Sequence, residues 1–521
     1  MKIGVPSVEK NRTARCAGVA AQTAVAAVAA VLHLAAWSQS NGDTAAKPGI
    51  SVVPRLSVTE TYSNNVSLRS TGQQREFTTQ LSPGISINSR AGRIKGTFNY
   101  SLNELLYANN TSARQSQNAL STSGVVEALD NFAFIDFSGN ISQQTISAFG
   151  TQSTNSAAIN GNSTETSTYS LSPYIRGRLG GFADYVARYS WTTTSSGSVA
   201  ASDSKTKNVS FNLNGATSGP LGWSAAASSQ TATYSLGQPV KNSSLGGTLL
   251  YSFSPQVNVS LIASRESNNY TTVSNQSYNS AGMGLNWAIS ERTRVAAQFE
   301  HHSYGQSHTV SFSHRTARTA WSFSDSQGVS TTPAQSGATV GSLADLLYGQ
   351  FAALQPDPVL RANLVNQFLQ DYGLRGNTPV ISNFLASSVS LQRRQDLSFA
   401  LLGVRDTVSF ALTRGSNSQL SNFANAFTSL ANSSVVNQTG LSVSYAHRLT
   451  QELSLNMVAA RQNTSGDAGL QSTSLRSFNV TLSGQVGRQM FASIGARRVF
   501  FESSTTPYTE SAVIGNLNLQ F

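Results

Sequence analysis

The sequence predicts an all-β protein, a transmembrane antiparallel up-and-down β-barrel of about 22 strands, within a range of about 20 to 24. Three observations predict it. Apolar residues alternate with uncharged polar ones, short turns alternate with longer loops, and the final stretch alternates in the same way. Only 11% of the 521 residues are charged, against about 25% in a typical soluble domain. A secreted β-solenoid or adhesin shares this composition and is the alternative fold.

An export signal precedes the strands. Basic residues are followed by an Ala/Val-rich run, and Ala36 and Ser38 place small side chains where a signal peptidase cleaves. This pattern predicts a signal peptide over 1–38, a short linker over 39–50 and the barrel over 51–521. A retained membrane anchor is the alternative to a cleaved signal. The single cysteine, Cys16, lies in the signal, so the mature chain is expected to form no disulfide and to supply no thiolate.

The sequence after the signal contains no stretch of about 18 consecutive apolar residues, which is the length that a membrane-spanning helix needs. The remaining way to cross a bilayer is a closed barrel. The formal charge is +11, but the basic residues are scattered without a Lys/Arg run. Nucleic-acid binding is therefore not expected.

The strands are punctuated by short turns, between which lie longer Ser-, Thr- and Asn-rich loops. This alternation is typical of outer-membrane barrels, which have tight periplasmic turns and long outer loops. An even strand number leaves both ends of the mature chain in the periplasm. The predicted turns are Ala91-Gly92-Arg93, Asp130-Asn131, Gly180-Gly181, Ser218-Gly219-Pro220, Ser254-Pro255, Ser290-Glu291-Arg292, Arg315-Thr316-Ala317, Gly403-Val404-Arg405, Thr450-Gln451-Glu452 and Gly487-Arg488-Gln489.

The last strand carries apolar residues at every second position and ends on an aromatic residue. Pairing this strand with the first would remove two open edges and close the barrel. The pattern resembles the signal by which bacterial outer-membrane barrels are recognised for insertion, which makes the barrel-assembly machinery an expected partner. The residues of this signal are Val513, Leu517, Leu519 and Phe521.

One insertion, 328–387, interrupts the strand pattern. Ser342 and Asp345 form a capping box that predicts one helix, and Pro358 suits the first position of a second, so the insertion is expected to be helical near 340–373. Its apolar stripes need a covering surface. Two interpretations stay open, a plug that closes the barrel and a helical hairpin packed on itself.

Charged side chains are predicted to point into the lumen, on the face opposite the lipid-facing residues such as Tyr185, Tyr189 and Trp191. Any barrel is expected to place them there, because Lys or Arg facing lipid at the midplane costs about 2 to 4 kcal/mol. The functional interpretation is a basic lumen that attracts anionic polymers or small anions. The pore-lining candidates are Arg176, Arg178, Asp184, Arg188, Arg294 and Glu300.

The sequence predicts no catalytic residue, no cofactor and no metal site. HExxH, nucleophile-elbow and Walker motifs are absent. His301 and His302 are neighbours on one strand, so their side chains point to opposite faces and cannot share a site. The alternative of a barrel enzyme rests on His302, which is predicted to face inward near Glu300. We expect a non-enzymatic protein.

Several stretches carry a family resemblance that covers almost the whole mature chain. They are 54–66, 82–86, 106–110, 141–144, 149–150, 315–321 and 357–372. The chain resembles the outer-membrane proteins associated with the PEP-CTERM/exosortase system, which are encoded with exopolysaccharide biosynthesis loci.

The resemblance implies a Gram-negative outer-membrane protein acting beside exopolysaccharide production, as a porin-like pore or as part of an envelope complex. Outer-membrane lipid, and exopolysaccharide or other polysaccharide-export proteins, are the partners it implies. The alternative is a structural barrel whose loops bind surface polysaccharide or matrix without transport.

Overall fold

A computed structural model describes residues 49–521 except 91, 156, 199–202, 216–218, 236–237, 332–347, 349–360, 362–364, 366–383, 385–388, 421–432, 468–470 and 488. The predicted signal peptide, 1–38, and the linker up to residue 48 lie outside the described residues.

The described chain forms 22 strands. In chain order they are β1 Ile50–Ser63, β2 Glu76–Ser89, β3 Ile94–Tyr107, β4 Gln115–Leu129, β5 Ala133–Thr145, β6 Ser163–Leu179, β7 Ala183–Ser196, β8 Ser204–Gly215, β9 Leu221–Tyr234, β10 Val240–Ser254, β11 Val257–Asn268, β12 Gln276–Ser290, β13 Thr293–His302, β14 Gly305–Arg315, β15 Thr319–Ser330, β16 Ser390–Leu402, β17 Asp406–Gln419, β18 Val435–Arg448, β19 Leu453–Ser465, β20 Ser472–Gly487, β21 Met490–Ser503 and β22 Tyr508–Gln520.

The strands form one closed antiparallel sheet. Each strand pairs with the next in the chain, and β22 pairs back with β1 over Arg55↔Gln520 to Ser63↔Ala512. Closure leaves no unpaired strand edge, which is the arrangement expected from the alternating last strand. The predicted fold class and strand number are confirmed.

The two rims of the barrel differ in their connections. The ten predicted turns all join strands at one rim, which we call the turn rim. Asn131 there adopts a left-handed φ of 57°, as does Gly180 with 56°, and both residue types tolerate that conformation in tight turns. The other rim, the loop rim, carries the longer connections, although Ser303 and Tyr304 alone join β13 to β14.

The connection 146–162 folds across the loop rim instead of extending away from it. The Tyr508 hydroxyl donates to the Gln152 carbonyl at 2.6 Å, and the Tyr107 hydroxyl donates to the Ala157 carbonyl at 3.1 Å. Because Tyr508 belongs to β22 and Tyr107 to β3, this connection ties together strands on both sides of the barrel seam.

The insertion begins later than the sequence predicted. Gly328 to Ser330 still belong to β15, because the ladder continues until Ser330 pairs with Ser390 of β16. Within the predicted helical segment, Tyr348, Arg361 and Val365 are helical, and the Arg361 guanidinium lies 4.8 Å from the centre of the Tyr348 ring. The rest of 340–373, including both predicted helix starts, lies outside the described residues.

None of the helical residues in the described part of the chain belongs to a helix long and apolar enough to cross a membrane.

Candidate functional site in the lumen

The outer face of the barrel is identified by its exposed apolar side chains. Leu249 is 60% exposed, and Phe299 and Phe478 are each 50% exposed. Such residues recur at alternate positions around the closed sheet, and a sheet that exposes a continuous apolar band requires a lipid surround. The protein is an outer-membrane β-barrel. Its loop rim faces the cell exterior and its turn rim faces the periplasm.

The side chains on the opposite face of each strand line the lumen. On β6 and β7 the pair Leu171↔Trp191 is exposed to lipid, so the pair Tyr174↔Arg188, an odd number of residues further along, faces the lumen. The same alternation places Arg176, Arg178 and Asp184 on the lumen face beside them. These positions lie close to the turn rim, so the cluster sits at the periplasmic mouth.

Four planar groups stack in sequence across β5, β6 and β7. The Arg176 guanidinium lies 4.4 Å from the centre of the Phe134 ring, and Phe134 stacks on Tyr174 at 5.1 Å with an angle of 16°. The Arg188 guanidinium then lies 4.1 Å from the Tyr174 ring centre. We call these four residues the lumen stack. Cation–π contacts at each end hold both guanidiniums in fixed orientations.

Carboxylates neutralise part of this charge. Arg188 Nη1 donates to Asp136 Oδ2 at 2.6 Å, and Arg178 Nε donates to Asp184 Oδ1 at 2.7 Å. Arg176 has no ion pair among the described residues. The lumen stack with its neighbours therefore carries one uncompensated positive charge, held by Arg176 at the periplasmic mouth.

Local sequence explains why these side chains converge. The tight turns at Asn131 and Gly180 bring the start of β5 and the end of β6 to the same rim. The cross-strand pair Phe134↔Tyr174 then places two aromatic rings directly opposite each other, a pairing that stabilises antiparallel sheets. Phe134 is only 7% exposed because Arg176 and Tyr174 cover both of its faces.

The six pore-lining candidates do not form one site. Arg176, Arg178, Asp184 and Arg188 lie together on β6 and β7. Arg294 and Glu300 lie on β13, near the turn rim and the loop rim respectively. Glu300 accepts a 2.6 Å hydrogen bond from Gln298 and lies 3.6 Å from His302.

A second polar cluster lies at the loop rim. His302 Nδ1 is 2.8 Å from Glu266 Oε1, and His302 Nε2 is 2.8 Å from Ser307 Oγ. This Ser–His–Glu connectivity is that of an activated serine. The Tyr304 hydroxyl is a further hydrogen-bond partner of Ser307. The cluster links β11 to β13 and β14, beside the two-residue loop that joins β13 to β14.

Among the described residues, no group of three or more His, Cys, Asp or Glu side chains is arranged to hold a metal ion.

Sequence reasoning missed Phe134, Asp136 and Tyr174. The signal was present, since Phe134 and Asp136 alternate with the lipid-facing Ile135 and Phe137. Aromatic residues were expected on the lipid face, and an inward-facing aromatic pair becomes recognisable only when the register between β5 and β6 is known.

No family model matches the chain. No curated protein matches it either. Among solved structures, the siderophore receptor PirA from Pseudomonas aeruginosa is 10% identical, with 91% of this chain and 81% of that chain covered and a TM-score of 0.44. BauA, the ferric preacinetobactin receptor from Acinetobacter baumannii, is 12% identical, with 90% and 80% covered and a TM-score of 0.47. These similarities concern the fold of the chain and not its ligand.

Proposed function

We propose that the barrel takes part in the export or surface assembly of exopolysaccharide, as a conduit or as a component of an envelope complex. The observation that carries the proposal is the lumen stack. It presents guanidinium groups at the periplasmic mouth, which is the side from which an exported polymer arrives.

The chemistry of the lumen stack suits an acidic polysaccharide. A guanidinium has five N–H donors in a fixed fork and binds carboxylates with two parallel hydrogen bonds. Sugar hydroxyls can accept hydrogen bonds from the remaining N–H groups. Arg176 retains these donors because its described contact is with an aromatic face and not with a carboxylate. A single uncompensated charge attracts a polymer without retaining it, which transport requires.

The conduit is tested by the conductance of the mature protein in planar bilayers. The wild-type barrel is compared with a variant in which a short glycine linker replaces 332–388, a deletion that preserves the Ser330↔Ser390 pair. Arg176→Gln is compared with Arg318→Gln, a control that removes an arginine from a periplasmic turn.

We expect conductance to rise on the deletion. Anion selectivity is expected to fall in Arg176→Gln and to stay unchanged in Arg318→Gln. If the wild type and the deletion variant are both silent while both remain folded in the membrane, the conduit is excluded.

The second candidate is a structural barrel whose loops bind polysaccharide without transport. The observation that favours it is the connection 146–162, which folds over the loop rim and is fixed to β22 and β3. A silent barrel that nevertheless binds labelled acidic polysaccharide at the cell surface, and loses that binding when 146–162 is shortened, would support this function over the conduit.

A further inference from the structure

Three arginines face outward on adjacent strands near the loop rim. Arg461 on β19 pairs directly with Arg476 on β20, and Arg498 on β21 pairs with Phe478 of β20. Phe478 and Val480 on β20 are exposed to lipid. Arg476 lies two residues from Phe478, so it shares their face, and the pairings place Arg461 and Arg498 on that face too. We call Arg461, Arg476 and Arg498 the arginine trio.

The trio lies at one height on the barrel. Arg461 and Arg476 are four residues from the loop-rim ends of their strands, and Arg498 is five residues from its end. With a rise of about 3.3 Å per residue and a strand tilt of about 40°, all three lie roughly 10 to 13 Å below the rim. The outward side chains nearer the midplane, such as Phe478 and Val480, are apolar. The trio therefore marks the level at which lipid chains give way to headgroups.

The charges of the trio are poorly compensated within the protein. Glu502 pairs with Arg476. Arg461 Nε donates to the neutral Asn463 Oδ1 at 3.3 Å, and Arg498 donates to the Ser511 hydroxyl and lies 5.0 Å from the Phe500 ring centre. Three guanidiniums thus share one carboxylate.

The direct opposition of Arg461 and Arg476 is unfavourable by itself. Like charges at directly opposed cross-strand positions destabilise a sheet. In addition, Arg476 Nε is buried and has no hydrogen-bond partner among the described residues. An anion placed against the trio would offset the repulsion and accept hydrogen bonds from the free N–H groups of Arg461 and Arg498.

We propose that the arginine trio binds the phosphate groups of glycolipid headgroups in the outer leaflet. Guanidinium groups match phosphate oxygens with paired hydrogen bonds and lose little hydration in doing so. The trio lies on the loop side, which faces the outer leaflet, and at headgroup height. Arg414 on β17 faces outward at a similar distance from the same rim and extends the basic surface. Arg393 on β16 also faces outward, but Asp325 neutralises it through hydrogen bonds of 2.8 and 3.2 Å.

The basic surface is local and not a continuous ring. At comparable distances from the loop rim, β1, β3 and β6 instead carry the outward acids Glu60, Glu104 and Glu165. Glu104 is neutralised by Arg114 at 2.7 Å, whereas Glu60 and Glu165 keep their negative charge and repel an anionic headgroup. The lipid is therefore expected to occupy one side of the barrel.

The test titrates the purified mature barrel with lipid A carrying two phosphates and counts bound lipid by native mass spectrometry. The trio variant is Arg461→Gln/Arg476→Gln/Arg498→Gln. The matched control is Lys205→Gln/Lys207→Gln, which removes two cations that face outward near the loop rim on β8. Inorganic phosphate at the same concentration as lipid A is the competitor that distinguishes a membrane lipid from a free anion.

We expect the trio variant to bind lipid A about tenfold or more weakly, as loss of one or more charge-assisted contacts requires, and the control to bind within about twofold of the wild type. Equal binding by the wild type and the trio variant overturns the proposal. Displacement of lipid A by equimolar inorganic phosphate overturns it as well, in favour of a free-anion site.

A single variant separates binding from folding. Arg461→Gln removes one member of the opposed pair, so the lipid-free barrel is expected to unfold at a higher temperature while its affinity for lipid A falls. A lower unfolding temperature with unchanged lipid binding assigns Arg461 a structural role and overturns the proposal.

Discussion

Phe384, in the connection between β15 and β16, forms a parallel β-bridge with Thr145, the last residue of β5. In a closed barrel of 22 strands, β5 lies about half the circumference away from β15 and β16, the strands that flank this connection. Phe384 is 2% exposed and packs in one cluster with Ala148, Phe149 and Val436. Phe384 therefore lies at the loop rim against the start of the connection 146–162 and contributes to the cover over that rim.

Replacing the Phe384 side chain is expected to loosen this cover without unfolding the barrel. Phe384→Ala removes a buried ring, a change that costs about 3 to 5 kcal/mol of local stability, while every strand pairing remains. We expect faster proteolysis of the loop-rim connections. The temperature at which the barrel unfolds, measured by heat modifiability on gels, should stay unchanged. Phe182→Ala, at a turn-rim position that is 62% exposed, is the control. Equal proteolysis of both variants would contradict the covering role.

The lumen stack predicts opposite changes in ion selectivity for two substitutions. Asp136→Asn removes the carboxylate that neutralises Arg188 and leaves a second uncompensated guanidinium, so anion selectivity should rise. Arg176→Gln should lower it. Reversal potentials measured under a salt gradient check both signs. Two shifts in the same direction would show that these groups do not set the lumen potential.

The ion pair between Arg497 and Glu510 is the most deeply buried in the described structure, with side-chain exposures of 7% and 1%. Glu510→Gln leaves Arg497 without its charge partner, which costs about 3 to 5 kcal/mol in the free energy of unfolding. Asp130→Asn breaks the exposed pair with Arg93 and should cost about 0 to 1 kcal/mol. Urea unfolding in lipid vesicles measures both. Similar losses in the two variants would contradict a large stabilising contribution from the buried Arg497–Glu510 pair.

The Ser307 hydroxyl tests whether the barrel is an enzyme. If the Glu266–His302–Ser307 chain is structural, Ser307→Ala should reduce stability by about 1 kcal/mol, and neither form should hydrolyse p-nitrophenyl esters of short fatty acids above the background rate. Thr309→Ala, two residues further along β14, is the control. Ester hydrolysis that disappears specifically in Ser307→Ala would falsify the non-enzymatic interpretation.

Asp467 gives the loop rim a pH dependence. The Ser434 hydroxyl and the Ser434 amide both donate to its carboxylate, the amide at 2.7 Å, and these bonds lower the pKa of Asp467 below its ordinary value. A lowered pKa stabilises the folded form at pH values above the ordinary pKa, and this contribution is lost as the pH falls through the lowered value. Ser434→Ala should return the pKa of Asp467 toward its ordinary value of about 3.9. Carbon-13 titration of the Asp467 carboxyl measures the shift, and an unchanged pKa in Ser434→Ala would contradict it.

The sequence predicted the barrel well because the relevant signals are local. Turn residues such as Asn131 and Gly180 encode tight turns within a few positions, and alternation within one strand already separates its two faces. The strand number, the closure and the ten turns followed from these signals alone.

The lumen stack and the arginine trio required information that no single strand contains. Phe134 meets Tyr174, and Arg461 meets Arg476, only when the register between neighbouring strands is known, and a shift of one residue would face them away from each other. The sequence also led us to expect charges inside. Arg461, Arg476 and Arg498 depart from that expectation, because the cost of an outward-facing charge falls from the membrane midplane toward its interfaces.

The seam between β1 and β22 also sets the order of events in folding. It joins residues 55–63 to residues 512–520, so its contacts span nearly the whole chain. All the other pairings in the sheet join strands that are adjacent in sequence. Contacts of such long separation form slowly, and until they form two strand edges stay open to pairing with other chains. The two edges are therefore covered only in the last step of assembly. A substitution that slows this step prolongs the time in which the chain can aggregate, without changing the folded barrel.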